Sequence, residues 1–291
     1  MTSRAPDTPK SVSACLRTLG FSPLKRFGQN FLIDPQTLDR IAALGELGDA
    51  AAVLEVGPGL GALTERLLRT GIPVIASEID RGLVRHLNST FADEPHLTVI
   101  EGDALAPGNV LAPMVAEALI ERTHGKAWHV VANLPYNITS PLLVALMAPP
   151  GPPRRSVVMV QREVGDVLKA HAGDESWSTL SIAVQSRFAV TKAIDVPSSR
   201  FFPRPDVDSS VMVLAAHDKP AVHPTFLPFV RKLFQARRKS LRGILTKGLG
   251  DARLAVAALE QAGIPLEERP DRIPVEALIL LHRAAGHPSG W

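Results

Sequence analysis

The sequence is poor in cysteine and in long apolar runs. Its 291 residues contain one cysteine, Cys15, so an internal disulfide framework is excluded and a reducing compartment is expected. No run of 18 or more residues is apolar throughout, so we expect no membrane span. The first ten residues are polar and lack the apolar centre of a signal peptide. These absences favour a cytoplasmic protein that does not contact a membrane.

Metal ligands and nucleophiles are also hard to find. The nine histidines are scattered, and none lies at metal-ligand spacing from a second histidine or cysteine, so we expect no metal site. No Ser-His-Asp or Cys-His arrangement can be assembled from the order of the residues. The net charge of +3 is too small to indicate nucleic-acid binding by itself.

One stretch, residues 223–250, has no acidic residue. Its apolar residues recur at helical spacing, which predicts an amphipathic helix over Thr225–Lys247. Its seven basic residues are Arg231, Lys232, Arg237, Arg238, Lys239, Arg242 and Lys247. A basic face of this kind suits a phosphate backbone, and an ordinary solvated helix face explains it equally well.

Apolar strands alternate with helical patterns over the first two-thirds of the chain, which predicts an α/β fold built from parallel βαβ units. The predicted strands are 52–56, 73–79, 96–100, 127–132 and 157–160, followed by two that close the sheet, 188–196 and 211–215. Asp34 followed by Pro35 predicts a helix start. Beyond a linker the pattern is helical only. We therefore predict an α/β domain over residues 1–217, with an extension over 1–20, and a small all-helical domain over 218–291.

A glycine loop, Gly57-Pro58-Gly59-Leu60-Gly61, follows the first strand of the α/β pattern, where glycines let a ligand approach the backbone. Glu78 comes 21 positions after Gly57, at the end of the next strand, where a carboxylate can bind ribose hydroxyls. Asp103 follows the third strand and can accept a hydrogen bond from an adenine amine. The spacing also fits a nicotinamide dinucleotide site, but Gly61 and the preceding Glu55 favour S-adenosylmethionine.

The tetrapeptide Asn133-Leu134-Pro135-Tyr136 contains the only tyrosine and follows an apolar strand. The Asn133 side-chain oxygen and the Leu134 carbonyl can accept hydrogen bonds from an exocyclic amine, and Tyr136 offers a face for stacking. Pro135 restricts the preceding residue to extended backbone, which helps to fix the Leu134 carbonyl. The tetrapeptide therefore predicts a pocket in which chemistry is done on an adenine.

Five blocks, in order, resemble the ribosomal RNA adenine dimethyltransferases of the KsgA type. They are Phe27–Leu32 (FGQNFL), Val53–Gly59 (VLEVGPG), Asn133–Ile138 (NLPYNI), Phe201–Ser209 (FFPRPDVDS) and Arg237–Leu241 (RRKSL). The segment from Arg269 to Leu278 is similar to the last helix of that family. A sister family acts on large-subunit rRNA, but Gly28 and Leu134 look more like the small-subunit branch. Trp177-Ser178 departs from the usual Tyr-Gly of this branch, at a predicted helix start.

The resemblance implies a class I, Rossmann-like, S-adenosylmethionine-dependent methyltransferase with a helical C-terminal RNA-binding domain. Its substrate would be small-subunit rRNA in an immature ribosomal subunit, with two methyl groups added to each of two adjacent adenosines near the 3′ end. We expect a monomer. The implied cofactor residues are Asn30, Leu32, Gly57, Gly59, Glu78, Asp103 and Asn133. Asn133, Leu134, Tyr136 and Phe201 would hold the target base, and Arg237, Arg238, Lys239 and Arg242 would bind RNA.

Particular residues argue against three other functions. A nicotinamide-dependent oxidoreductase needs a hydride-transfer partner such as a Tyr-Lys pair, and Tyr136 has no lysine within the next four residues. A non-catalytic RNA-binding protein of the same fold would be expected to have degraded cofactor blocks, whereas here they are intact. A DNA adenine methyltransferase is disfavoured by Arg237–Leu241 and the helical tail, which favour structured RNA.

Overall fold

The computed structural model describes residues 4–20, 30–148, 151–218 and 221–288. The first of the five sequence blocks therefore lies partly outside the described residues. The chain forms two compact units. The first contains residues up to Gly165 together with Val190–Ala216, and the second contains Asp166–Ala189 together with the chain from His217 onward. The second unit thus includes a segment that the sequence-based division at residue 217 leaves in the α/β domain.

The strands, in chain order, are β1 Phe31–Leu32, β2 Ala52–Val56, β3 Val74–Glu78, β4 Leu97–Glu101, β5 Leu105–Ala106, β6 Val110–Leu111, β7 Trp128–Asn133, β8 Arg155–Gln161, β9 Phe188–Val196, β10 Phe201–Phe202 and β11 Ser209–Ala216. The helices are α1 Pro9–Thr18, α2 Pro35–Leu44, α3 Ala62–Leu68, α4 Arg81–Thr90, α5 Pro113–Thr123, α6 Thr139–Ala145, α7 Arg162–Lys169, α8 Thr179–Gln185, α9 Phe226–Gln235, α10 Leu241–Leu249, α11 Ala252–Gln261 and α12 Val275–Ala284. No helix in the described parts of the chain is long and apolar enough to cross a membrane.

A seven-stranded sheet in the order β4-β3-β2-β7-β8-β11-β9 contains all of the predicted strands. Strands β4, β3, β2, β7 and β8 are parallel, and β11 runs antiparallel to β8. All five residues of β2 and of β3 are buried, as expected for parallel strands covered on both faces. The chain winds outward from β2 through β3 to β4 and then returns to β7 on the other side. A crevice therefore forms at the carboxyl ends of β2 and β7, where ligands bind in such sheets.

Two very short strand pairs were not predicted. Phe31 pairs with Phe202 and Leu32 with Phe201 in the antiparallel pair β1–β10, and β5 pairs with β6. Two-residue strands show no periodicity in a sequence, so only the fold reveals them. The β1–β10 pair joins the residues before α2 to the block that precedes β11.

The N-terminal extension contributes a helix to the first unit. Thr8 and Ser11 form a reciprocal capping box at the start of α1. The buried side chains of this helix pack in a small cluster with residues that follow β2 and begin α4: Val12, Leu16, Leu60 and Leu83. Residues that the sequence left without a role are therefore part of the unit that contains the crevice.

The helices of the second unit surround one apolar cluster, whose largest members include Trp177, Phe226 and Phe229. Trp177 and Ser178 lie at a helix start as predicted, and Ser178 caps α8 in a capping box with Ser181. The prediction of one continuous helix over 225–247 was wrong. Extended backbone at Ser240 separates α9 from α10, and the Leu241 N–H donates to the Glu268 carbonyl at 2.8 Å instead of continuing a helix.

Candidate active site

The glycine loop after β2 forms the floor of the crevice. Gly57, Gly59 and Gly61 all have positive φ, at 71°, 60° and 84°, which glycine adopts without strain. A Cβ added to Gly57 would lie 3.0 Å from the Pro135 ring, and one on Gly59 would lie 3.1 Å from the Phe31 ring. The loop therefore lies in close contact with the tetrapeptide after β7 and with β1.

The Glu78 carboxylate is held at the end of β3 by two backbone groups. The Gly59 N–H donates to its Oε2 at 3.1 Å and the Asp80 N–H donates to its Oε1 at 3.0 Å. Burial raises the pKa of this carboxyl, and the backbone donors oppose that rise. Each carboxylate oxygen can accept more than one hydrogen bond, so both keep capacity for a ligand hydroxyl.

Glu55 is a second carboxyl in the crevice wall, and its side chain is fully buried in β2. The Thr64 hydroxyl donates to its Oε2 at 2.6 Å. Burial, with a smaller contribution from the negative charge of Glu78, raises the pKa of Glu55 to about 8. Glu55 is therefore protonated at neutral pH, a state that the sequence did not indicate because it depends on burial.

The tetrapeptide after β7 is ordered by hydrogen bonds along its length. The Asn133 Nδ2 donates to the Asn30 carbonyl at 3.3 Å, which turns the Asn133 Oδ1 away from that carbonyl. The Leu134 N–H donates to the Met159 carbonyl of β8 at 3.1 Å. The Pro135 carbonyl accepts from the Thr139 hydroxyl at 3.1 Å, in the first turn of α6. The strand end is thus anchored on both sides.

Tyr136 is fixed by a partner that the sequence did not single out. Its hydroxyl lies 2.9 Å from the Ser209 Oγ at the start of β11. Burial raises the pKa of Tyr136, so the phenol stays protonated at neutral pH. Ser209 ends the Phe201–Ser209 block, which could have suggested a role for the serine but not its contact with the tyrosine.

One cavity in the first unit collects most of the predicted site residues. Of these, the lining includes Asn30, Leu32, Gly57, Gly59, Glu78, Asp103, Asn133, Leu134 and Tyr136. Asp103 is exposed at the rim, where its Oδ1 accepts from the Leu105 N–H at 2.9 Å. Residues that follow the carboxyl ends of four strands of the sheet, β2, β3, β4 and β7, thus meet with residues at β1.

Phe201 is the predicted base-binding residue that does not line this cavity. Its side chain is 3% exposed and packs in the core of the first unit, whereas the neighbouring Phe202 is 36% exposed. Phe201 is paired across the β1–β10 ladder with Leu32, which does line the cavity. Its predicted role beside a base stays a prediction.

The predicted RNA-binding residues all belong to the second unit. Arg237, Arg238 and Lys239 are exposed in the turn between α9 and α10, not on a helix face as predicted. Arg242, in the first turn of α10, forms a 2.7 Å ion pair with Glu267. Arg237, Arg238 and Lys239 therefore place three adjacent positive charges on one exposed turn.

A family model described as ribosomal RNA adenine dimethylase matches residues 20–278. The ribosomal RNA small subunit methyltransferase A of Bacillus mycoides strain KBAB4 is 38% identical over 286 residues, which cover 95% of this chain and 96% of that protein. The corresponding protein of Bacillus cereus strain AH187 is also 38% identical, with the same coverage.

Two solved structures share the fold. A dimethyladenosine transferase from Plasmodium falciparum superposes with a TM-score of 0.72 at 24% identity, covering 87% of this chain and 97% of that one. The 23S rRNA methyltransferase ErmE superposes with a TM-score of 0.64 at 25% identity, covering 88% of this chain and 99% of that one. The predicted class I methyltransferase fold is confirmed. By the extent of the family match and the identity to full-length relatives, this chain belongs to the ribosomal RNA adenine dimethylase family.

Proposed function

We propose that this protein is an rRNA adenine N6-dimethyltransferase. It uses S-adenosylmethionine to add two methyl groups to each of two adjacent adenosines near the 3′ end of small-subunit rRNA. The observation that carries the proposal is the meeting of the glycine loop, the Glu78 carboxylate and the Asn133–Tyr136 tetrapeptide in one cavity. Membership in the adenine dimethylase family and the relatives named small subunit methyltransferase A support the substrate.

The cavity residues fit S-adenosylmethionine. The glycines with positive φ have no side chains, so the cofactor can approach the backbone of the loop. The Glu78 carboxylate oxygens are oriented by the N–H groups of Gly59 and Asp80, and they can accept hydrogen bonds from ribose hydroxyls. Asp103, at the end of the neighbouring strand, suits the cofactor's adenine amine, and Asn30 and Leu32 line the same cavity. When bound, this cofactor supplies a methyl group made electrophilic by a sulfonium.

The tetrapeptide holds and activates the target amine. The lone pair of an adenine amine is delocalised into the ring, so the amine is a poor nucleophile. The Asn133 Oδ1 and the Leu134 carbonyl accept its two hydrogens and favour a pyramidal nitrogen. Since the Asn133 Nδ2 is held by the Asn30 carbonyl, the amide presents its oxygen in a fixed direction. Orientation and preorganised electrostatics then provide the rate. The methylated amine is left cationic and acidic, so it releases its proton to solvent without a general base.

Tyr136 forms the aromatic wall of the base pocket. Its ring stacks on the purine and stabilises the positive charge that develops on the amine during transfer. Bringing a base out of its stack costs a few kcal/mol, and stacking on an aromatic side chain returns about 1–3 kcal/mol. The hydrogen bond to Ser209 keeps the ring in one orientation before the base arrives.

The second unit binds the rRNA backbone. Arg237, Arg238 and Lys239 place three adjacent charges on an exposed turn, where they can contact phosphates. The proposed RNA-binding domain comprises residues 218–291 together with Asp166–Ala189, which belongs to the same compact unit. The enzyme acts in the cytoplasm as a monomer on the immature small ribosomal subunit.

The experiment that tests this function compares wild type with Asn133→Ala. The full-length proteins are incubated with labelled S-adenosylmethionine and unmethylated small ribosomal subunits, and cofactor affinity is measured by calorimetry. We expect methyl transfer to be lost while cofactor binding survives in part, because the glycine loop and Glu78 remain. Near wild-type transfer by the variant would refute the role of Asn133. Stabilisation of the wild type by NAD instead of S-adenosylmethionine would favour an oxidoreductase.

A further inference from the structure

Three histidines of the second unit converge at one end of α12. His223 precedes α9, His282 lies within α12 and His287 follows that helix. One ring nitrogen of each lies within 4.8 Å of the others. The Nδ1 atoms of His282 and His287 are 3.2 Å apart, and the rings of His223 and His287 stack with centroids 4.4 Å apart.

The expectation of no metal site rests on sequence spacing alone, whereas these three histidines converge in the fold. His223 and His282 are 59 positions apart in the sequence, whereas four residues separate His282 from His287, an interval that occurs between zinc ligands. The packing of α9 against α12 in one apolar cluster brings the three together. The approach of His223 to the other two histidines depends on the fold and gives no pattern in the sequence.

A threonine orients two of the three rings. The Thr225 Oγ1 lies 2.9 Å from the His223 Nδ1 and 2.9 Å from the His282 Nε2. The contact at the His282 Nε2 leaves the Nδ1 of that ring for a metal, and an outer hydrogen bond of this kind is typical of metal-binding histidines. The Thr225 N–H also donates to the His223 Nδ1 at 3.3 Å, so metal binding through the His223 Nε2 would break that hydrogen bond.

His282 is the buried member of the cluster. Its side chain is 2% exposed and packs against Phe226 and Phe229. Ring nitrogens suit Zn²⁺, whereas Mg²⁺ and Ca²⁺ prefer oxygen ligands.

We propose that His223, His282 and His287 bind one Zn²⁺ ion, with water as the fourth ligand and Thr225 as the orienting residue. Tetrahedral zinc holds its ligand nitrogens about 3.3 Å apart. The hydrogen-bonded Nδ1 atoms of His282 and His287 are 3.2 Å apart, and the three ligand atoms lie within 4.8 Å of one another, so zinc would replace that hydrogen bond and draw the three rings together. The ion would tie the segment before α9 to the end of α12. Its role is structural, and it does not depend on methyl transfer.

Full-length protein without a histidine tag tests the site. The protein is stripped with a chelator, reloaded with ZnCl₂ and dialysed, and zinc content and thermal melting are then measured. We expect one zinc per chain and a higher Tm for wild type. His223→Ala and His287→Ala should lose both, because each removes one of the three ligands. His171→Ala, which removes an exposed histidine of the same unit, should behave as wild type.

Thr225→Val separates a metal site from simple packing. It keeps all three ligands, so we expect zinc to bind about 10- to 100-fold more weakly rather than not at all. The visible spectrum of wild type loaded with Co²⁺ gives an answer that does not depend on any variant folding, since tetrahedral imidazole coordination produces intense bands. A weak octahedral spectrum, or equal zinc content in wild type, His223→Ala and His287→Ala, would overturn the proposal.

Discussion

At the scale of single residues, Glu55 connects the site to stability. The pKa of this carboxyl is raised by burial to about 8 from its ordinary value of 4.5. Between those pH values the folded protein keeps a proton that the unfolded chain has released. Stability therefore falls as pH rises through this window, by up to about 1.4 kcal/mol per pH unit for one proton.

We expect Glu55→Gln to match wild type in Tm near pH 5 and to exceed it near pH 8. The amide stays neutral and its oxygen can still accept from Thr64. Thermal melting at several pH values measures this, with Glu121→Gln, at an exposed position, as the control. The same Tm difference between Glu55→Gln and wild type at pH 5 and pH 8 would mean that Glu55 does not titrate in this range.

Phe201 is buried, so its predicted contact with the target base needs a direct test. Phe201→Leu keeps an apolar side chain in the core but removes the aromatic face. By its predicted role, we expect the KM for rRNA to rise in this variant because the ring that would stack on the base is removed, and Phe202→Leu to stay near wild type. Melting curves report any loss of packing separately. A rise in KM confined to Phe202→Leu would reassign the base contact to the exposed ring.

Much of the site could be predicted at this scale because each residue follows a strand end. Glu78, Asp103 and Asn133 occupy the carboxyl ends of three parallel strands, so their convergence follows from strand order. The protonation of Glu55 and the contact of Tyr136 with Ser209 depend on burial and on pairing between distant segments. Such contacts leave no periodic signal in a sequence.

At the scale of elements, longer strands were predicted well and two-residue strands were not. Strand β2 matches its predicted range of 52–56, because a strand buried on both faces leaves a continuous apolar run that ends at a glycine loop. The pairs β1–β10 and β5–β6 are too short for such a run. The break at Ser240 was missed because the apolar spacing continues on both sides of it, although the backbone changes partner to Glu268.

The basic turn between α9 and α10 is the element that should bind RNA. We expect simultaneous reversal of Arg237, Arg238 and Lys239 to Glu to raise the rRNA concentration needed for half-maximal activity. Cofactor affinity should not change, because the cavity residues are untouched. The salt dependence of RNA binding should become shallower by about 0.7–0.9 for each phosphate that the protein no longer neutralises. Arg253→Glu, at an exposed position on α11, is the charge control.

An unchanged RNA requirement in the triple variant would mean that these three cations face solvent in the complex. The basic turn would then be an ordinary exposed connection. The substrate would have to be recognised by other parts of the chain, and the RNA-binding role of residues 237–239 would be withdrawn.

At the scale of the whole molecule, the predicted catalytic residues and the predicted RNA-binding residues lie in different units. The first contains the strand ends at which the predicted cofactor and base residues meet, and the second contains the basic turn and the histidine cluster. The sequence predicted two domains from the change between alternating and purely helical patterns. It could not assign residues 166–189 to the second unit, because that assignment depends on which core the segment packs into.

The most direct test of the central claim maps the methylated nucleotides. Full-length enzyme is incubated with labelled S-adenosylmethionine and unmethylated small ribosomal subunits, and the rRNA is digested and analysed by mass spectrometry. We predict dimethylated adenosine at two neighbouring positions near the 3′ end, and none with Asn133→Ala. Label at other bases, in large-subunit rRNA, or at the same positions with the Asn133→Ala variant would contradict the account.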